Sequence, residues 1–158
     1  MDEVKLRPMT DDEFQAWLPR AIADYAEEHI ASGRWPKDEA LANSRSEFEK
    51  LLPDGPRTEN HHLWSVVRTQ DGQVVGQLWV AIVEHPRRHA FVYNLEIDEA
   101  YRRRGYGEGA MRAAEDEARR MGADTMRLHV FGHNTRARPL YEKLGYEPTN
   151  IMMSKTLS

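Results

Sequence analysis

The sequence predicts a single α+β domain over residues 1–158, with a mixed, mostly antiparallel sheet flanked by helices on both faces. Three observations support this prediction. Apolar residues first recur at three- and four-residue intervals, as in helices, and from His61 onward the period changes to two, as in strands. A helical period returns at Gly107, and no repeat or linker divides the chain. A chain of 158 residues can also fold around its own core without disulfides or metals.

The N-terminal part predicts a strand followed by two helices. Residues 4–8 predict the strand, and Thr10, Asp11 and Asp12 offer N-cap oxygens to a helix that ends near Gly33. A second amphipathic helix follows and stops at the Pro- and Gly-containing segment 53–56. The predicted packing side of this second helix comprises Leu41, Ser44, Phe48, Leu51 and Leu52.

The rest of the chain predicts an antiparallel meander and then alternating helices and strands. The meander strands are 61–69, 74–84 and 90–98, with a hairpin turn at Asp71-Gly72. Four elements follow: a helix that begins near Gly107 and ends at Gly122, a strand over 126–131, a short helix over 135–144 and a last strand over 151–157.

The composition excludes several classes of function. The chain has no cysteine, which removes disulfides, thiolate nucleophiles and metal–thiolate sites. Its net charge is −4 and it has no long basic block, so we expect no nucleic-acid binding. The apolar stretches are far shorter than the roughly 20 residues that span a bilayer, and the N-terminus lacks a signal-peptide pattern. We therefore expect a cytoplasmic protein without membrane contact.

The most informative stretch is Arg102-Arg103-Arg104-Gly105-Tyr106-Gly107, which follows a predicted strand and opens a predicted helix. The first amides of a helix lack intrahelical partners and carry partial positive charge, so they bind anions. Glycine lets a phosphate approach the backbone without a Cβ clash. The stretch therefore favours phosphate binding, although a helix start flanked by solvated arginines accounts for it equally well.

Gly105, Gly107 and Ala110 also match a dinucleotide-binding fingerprint, with Asp124 near its acidic position. In that fold the turn directly follows the first parallel strand, whereas here an antiparallel meander precedes it. Asp124 also comes before the next strand and not at its carboxyl end. We therefore interpret the match as accidental and a dinucleotide oxidoreductase as the weakest hypothesis.

Two segments, LEIDEAYRRRGYGEGAM and LHVFGHNTRARPLYEKLGY, resemble the cofactor-binding segments of the GNAT superfamily of N-acetyltransferases. In the first, Arg102, Gly105 and Gly107 fill the family pattern. In the second, strand residues 128–131 are followed by Asn134, Tyr141 and the ending Leu144-Gly145-Tyr146. HHLW and LHVFGHN are similar to uncharacterised bacterial acetyltransferases. The resemblance implies a sheet that is splayed at the site of acetyl-CoA.

The resemblance also implies the roles of particular residues. The backbone of Leu95, Glu96 and Ile97 would bind the pantetheine arm, and the loop would hold the pyrophosphate. That loop comprises Arg102, Arg103, Arg104, Gly105, Tyr106, Gly107 and Glu108. Asn134 would contact the cofactor or simply cap a helix. Tyr141 would protonate the departing thiolate, or it would only pack in the core. Pro139 departs from the family pattern, which favours a later helix start and leaves the Asn134 contact open.

The general base has two candidates. A base must deprotonate the acceptor ammonium before its nitrogen can attack. His129 stands where some relatives carry a catalytic Glu and titrates in a useful range. Glu96 lies on the splayed strand, with Asn94 or Tyr93 available to position water. His61 and His62 alternate to opposite faces of a strand, which is a poor metal chelate, and we expect no metal.

The leading hypothesis is an acetyl-CoA-dependent N-acetyltransferase that acts directly on a primary amine of a small molecule or a peptide. The alternative is a catalytically weak acyl-CoA-binding or regulatory module on the same fold. Four acidic residues favour a cationic acceptor or are simply solvated: Glu27, Glu28, Asp38 and Glu39. Proteins with such folds commonly form homodimers, so the resemblance implies that a homodimer is possible here.

Overall fold

The computed structural model describes residues 3–157. Five strands and four α-helices lie in this range: β1 (Val4–Pro8), α1 (Asp11–Ala31), α2 (Lys37–Leu51), β2 (His61–Arg68), β3 (Val74–Val83), β4 (His89–Ile97), α3 (Tyr106–Arg120), β5 (Met126–Leu128) and α4 (Ala137–Lys143). Short 3-10 turns at Gly55–Arg57 and Glu99–Tyr101 precede β2 and α3. None of the helices in the described range is long and apolar enough to cross a membrane.

The strands form one open sheet in the order β1-β2-β3-β4-β5. Neighbours are antiparallel except β4 and β5, which are parallel. β5 pairs with β4 only through Ala90–Val92, so the second half of β4 has β3 as its single strand partner within residues 3–157. The mixed, mostly antiparallel and splayed sheet is therefore confirmed.

Helices cover both faces of the sheet, as predicted. On one face, Trp17 of α1 and Phe48 of α2 pack on Trp79 of β3. On the other face, Met111 and Ala114 of α3 are fully buried against the sheet. The two cores form because strand side chains alternate between faces, which gives each helix layer its own apolar surface.

A capping box fixes the start of α1. The Glu13 amide donates to Thr10 Oγ1 at 3.1 Å, and the Thr10 amide donates to Glu13 Oε1 at 2.8 Å. Arg7 of β1 donates two hydrogen bonds of 2.9 Å to the same carboxylate. Hydrogen bonding to Arg7 is the main reason that the pKa of Glu13 falls to about 2. The predicted cap at Thr10 is confirmed, and the ion pair joins it to the sheet.

Three predictions for the C-terminal region are wrong in detail. β5 ends at Leu128 instead of 131, and α4 begins at Ala137 instead of 135. The later start that Pro139 favoured is therefore confirmed: Pro139 lies in the first turn of α4, where its missing N–H costs no helical bond. Residues 151–157 form no strand, and their apolar side chains are exposed. A strand is stabilised by its neighbours, so the β propensity of IMMSKTL is insufficient without a partner.

Candidate active site

The loop between β4 and α3 takes an unusual backbone conformation. Arg103 has φ +65° and Gly105 has φ +82°, both in the left-handed region. Gly105 adopts it at no steric cost, whereas for Arg103 it costs roughly 1–2 kcal/mol. Gly105 is the N-cap of α3 and makes no side-chain cap bond. The loop therefore turns sharply and leaves the first amides of α3 without a side-chain acceptor from the cap.

A surface cavity of about 460 Å³ lies against this loop, lined by Glu99, Arg102, Arg103 and Arg136. Three of the four lining residues are cationic, which suits an anionic ligand. Arg136 comes from the segment before α4 and was missed by the sequence interpretation. The signal was the run Thr135–Pro139, in which two arginines follow Asn134, but only folding brings Arg136 to the loop.

The remaining loop residues divide between solvent and core. Arg104 is exposed, and Tyr106 is buried, with its hydroxyl accepting a hydrogen bond from Arg68 at 3.2 Å. Glu108 pairs with Arg112 at 3.0 Å and Lys143 at 3.3 Å. The side chains of Tyr106 and Glu108 therefore contact other parts of the protein.

Gly107 is required by packing, apart from its predicted role in phosphate binding. A Cβ at this position would lie 3.3 Å from Leu140 Cδ2 and 3.8 Å from Ile97 Cγ1. The first turn of α3 thus lies close to α4 and to the end of β4. The absence of a side chain at Gly107 thus allows the loop, the splayed strand and α4 to pack closely.

The splayed end of β4 presents two different faces. Leu95 and Ile97 pack against the core on the α3 side, so their side chains are ordinary core residues. Glu96 points to the α1 side, as does its register partner Gln77, two residues before Trp79. The pairing of β3 with β4 is irregular at Tyr93: Trp79 pairs with Asn94 and Val80 with Val92, so Tyr93 has no partner in the register. The Tyr93 ring stacks on that of Trp79, with 4.6 Å between the ring centroids.

Glu96 lies in a charged and half-buried environment. Burial raises the pKa of Glu96, and the negative charge of Asp24 raises it further. Arg20 and Arg102 act in the opposite direction. Arg102 Nη2 is 3.9 Å from Glu96 Oε1, and Arg102 Nε donates to the Ile97 carbonyl at 2.9 Å. The arginine of the loop is therefore anchored to the strand that carries Glu96.

Tyr141 lies on α4 and packs partly against the α3-side core. Burial raises the pKa of its phenol, and the charge of Glu28 on α1 raises it further. Because Glu28 also interacts with Glu96, the structure brings Tyr141 and Glu96 to the same region beside α1. A phenol with a raised pKa keeps its proton at neutral pH and can donate it.

The other two candidates make different contacts. The Asn134 side-chain oxygen accepts a hydrogen bond from the Ala137 amide at 3.2 Å, which is the helix-capping role. His129 is exposed beyond the end of β5, with its ring 4.7 Å from that of Phe131. Phe131 in turn contacts His29 of α1 at 5.0 Å. His129 thus belongs to an aromatic group at the end of α1.

His61 and His62 lie on opposite faces of β2. His61 Nδ1 accepts from Trp79 Nε1 at 2.9 Å, while His62 stacks on Trp64. The described residues contain no group of three or more His, Asp or Glu side chains arranged to hold a metal ion.

An open mixed sheet is splayed where its fourth strand leads to a cationic loop and a helix start, which is the arrangement that the resemblance to GNAT acetyltransferases implies. The comparison with known families agrees: the chain belongs to the acetyltransferase (GNAT) family, whose model matches residues 18–146, and it is an N-acetyltransferase-type acyltransferase.

Two relatives match nearly the whole chain. The uncharacterised N-acetyltransferase YycN of Bacillus subtilis (strain 168) is 41% identical over 155 residues, covering 98% of this chain and 99% of YycN. YdgE of the same organism, also an uncharacterised N-acetyltransferase, is 38% identical, covering 96% and 97%. A crystal structure of YycN matches with a TM-score of 0.91, covering 98% of this chain and 99% of that one.

A more distant relative has a named acceptor. The [ribosomal protein bS18]-alanine N-acetyltransferase of Escherichia coli (strain K12) is 31% identical over 83 residues, which cover 52% of this chain and 54% of that enzyme.

Proposed function

We propose that this protein transfers the acetyl group of acetyl-CoA directly to a primary amine. One observation carries the proposal. The loop after β4 has two left-handed residues, Arg103 and Gly105, that open α3 beside an arginine-lined cavity. This arrangement brings a helix start, its dipole and positive charge together, which suits a diphosphate.

The cofactor would extend along the splayed part of β4. The second half of this strand is unpaired on the β5 side within the described range, so the main chain of Leu95, Glu96 and Ile97 can bond an extended pantetheine arm. The amides from Arg103 to Glu108 would hold the pyrophosphate, with Arg102 and Arg104 adding charge. We add Arg136 to this set because it lines the same cavity.

The chemistry needs one base and one acid. Bound acetyl-CoA supplies a thioester carbonyl and a thiolate leaving group. Glu96 would take a proton from the acceptor ammonium, directly or through water, since its raised pKa makes it a stronger base than an ordinary carboxylate. The neutral nitrogen then bonds the carbonyl carbon, the C–S bond breaks, and Tyr141 would protonate the sulfur.

His129 remains the alternative base. It lies on the strand end next to the splayed region, and its main ring contact is Phe131. The favoured candidate is Glu96, because it is half-buried and shares the charged environment of Tyr141 through Glu28. The side-chain oxygen of Asn134 accepts a hydrogen bond from the Ala137 amide. If Asn134 also contacts the cofactor, it would do so through another of its polar groups.

Thermal shift with acetyl-CoA, CoA and NAD tests the binding step. Acetyl-CoA at 100 times its dissociation constant should stabilise the protein by about 2.7 kcal/mol. Steady-state release of the CoA thiol with a panel of amines then tests transfer. A shift with NAD alone would overturn the proposal, and tight acetyl-CoA binding without turnover on any amine would favour the alternative of a binding module.

A further inference from the structure

The side of α1 that faces the splayed strand carries a row of charges. Arg20, Asp24 and Glu28 follow one another at intervals of four residues, which places them on one helix face. The charges of Arg20 and Asp24 act on Glu96 of β4, and that of Glu28 acts on Tyr141. This row therefore runs beside both residues that are proposed to act in the transfer, Glu96 as the base and Tyr141 as the acid.

Negative charge in this region is poorly neutralised. Within residues 3–157, neither Asp24 nor Glu28 forms an ion pair, and Glu96 has only Arg102 at 3.9 Å. Burial raises the pKa of Glu28, and the charges of Asp24 and Glu96 add to this effect, while His133 opposes it. The three carboxylates therefore repel one another, and a bound cation would relieve that repulsion.

Two buried amide oxygens lie in the same region. Gln77 is 8% exposed and is the direct strand partner of Glu96, with its side chain on the same face. Its Oε1, like the Oδ1 of Asn94, is buried and has no hydrogen-bond partner among the described residues. A buried acceptor without a donor destabilises the folded protein, and a ligand that donates to it removes this cost. The region thus presents acceptors that lack donors.

We propose that the acceptor carries a second cationic group besides the amine that is acetylated, and that Asp24 and Glu28 bind this group beside Glu96, Gln77 and Asn94. This inference rests on the proposed function. An ammonium offers three N–H donors and a positive charge, which complements carboxylates and amide oxygens. Glu96 holds the reacting amine, and Asp24 and Glu28 bind the second cation.

The helix geometry sets the length of the site for the second cation. Four residues of α-helix rise about 6 Å, so Asp24 and Glu28 extend the site by about one helical turn. A short diamine carries a second cation that can reach a site of this length, and so does a peptide whose amino-terminal residue is followed by a lysine. The shared chemistry is a primary amine with a second cation nearby.

The test compares amines that differ only in the second charge. Isothermal titration of the CoA-saturated protein with 1,4-diaminobutane and with 1-butylamine is one arm, and Gly-Lys with Gly-norleucine is the other. We expect at least about tenfold tighter binding of the dication in one arm, with a preference that falls as salt is added. A preference in the first arm identifies the acceptor as a small diamine, and a preference in the second arm identifies it as a peptide.

Variants then locate the site. Asp24→Asn and Glu28→Gln should each reduce the preference up to about fivefold, as expected for a partly exposed charge pair. Glu27→Gln removes the same charge from the exposed neighbouring position and should leave the preference unchanged. Equal affinities for both members of each pair, or a preference that survives both Asp24→Asn and Glu28→Gln, would overturn the inference.

Turnover separates this inference from the proposed function. A protein that acetylates 1-butylamine and 1,4-diaminobutane with equal kcat/KM keeps the proposed function and contradicts the inference. A protein that binds no acetyl-CoA contradicts both, because the acceptor site would then have no acetyl donor.

Discussion

Arg102 connects the proposed phosphate loop to Glu96: its Nε donates to the Ile97 carbonyl at 2.9 Å, and its Nη2 lies 3.9 Å from Glu96 Oε1. One side chain thus links cofactor binding to the environment of the candidate base.

Replacing Arg102 should change the pH profile as well as acetyl-CoA binding. Arg102 and Arg20 lower the pKa of Glu96 against burial and the charges of Asp24 and Asp98. In Arg102→Met the pKa of Glu96 should rise, so the acidic limb of kcat/KM should move to higher pH. Arg102→Lys keeps the positive charge and should therefore leave the acidic limb close to its wild-type position. An unmoved limb would mean that Glu96 does not titrate in catalysis.

Substitution of the two candidate bases should have unequal effects. Glu96→Gln keeps the shape of the side chain but cannot accept a proton, so kcat should fall on the order of 10²-fold. His129→Gln should change kcat little because the His129 ring is exposed and contacts Phe131. Steady-state kinetics at several pH values measures both. The reverse order of effects would assign the base to His129.

Removing the hydroxyl of Tyr141 should slow transfer without weakening the cofactor complex. The raised pKa keeps this phenol protonated at neutral pH, and Tyr141→Phe should lower kcat on the order of 10²-fold. Tyr146→Phe is the matched control, since that hydroxyl donates to Glu115 at 2.7 Å. Equal kcat in wild type and Tyr141→Phe would remove this residue from the mechanism.

Gly105 should matter for binding beyond its effect on stability. Gly105 and Gly122 have φ of +82° and +85°, so alanine at either position should cost about 1 kcal/mol of unfolding free energy. Only Gly105→Ala should weaken acetyl-CoA binding, because its Cβ obstructs the approach to the loop amides. Urea denaturation and titration calorimetry measure the two effects. Similar acetyl-CoA affinities in the two variants would argue against the loop as the pyrophosphate site.

The Arg7–Glu13 pair should make stability depend on pH. Hydrogen bonds from Arg7 lower the pKa of Glu13 from 4.5 to about 2, so the ionised carboxylate stabilises the fold above pH 4.5. This contribution should be lost as the pH falls from 4.5 toward 2. Glu13→Gln should be less stable than wild type by about 1 kcal/mol at pH 7, and the difference should shrink at pH 3 in urea denaturation. A constant difference would contradict the ion-pair origin.

Local sequence signals were sufficient for most of the secondary structure. The Thr10 cap, the period change at His61 and the Asp71-Gly72 turn act over a few residues, so their outcome depends little on distant contacts. The loop at 102–107 could also be recognised, because glycine and a helix start carry their own geometry. The prediction of a last strand is wrong for the opposite reason. Residues 151–157 have β propensity, but pairing with another strand decides whether a strand forms.

The sequence alone determined the family, the order of most elements and the loop that opens α3. The tertiary structure decided which distant charges meet. Arg136 lines the cavity of the loop, and Asp24 and Glu28 face β4 and α4, although tens of residues separate them in the chain. Electrostatic interactions depend on distance and burial, and both arise only when α1 packs on the sheet.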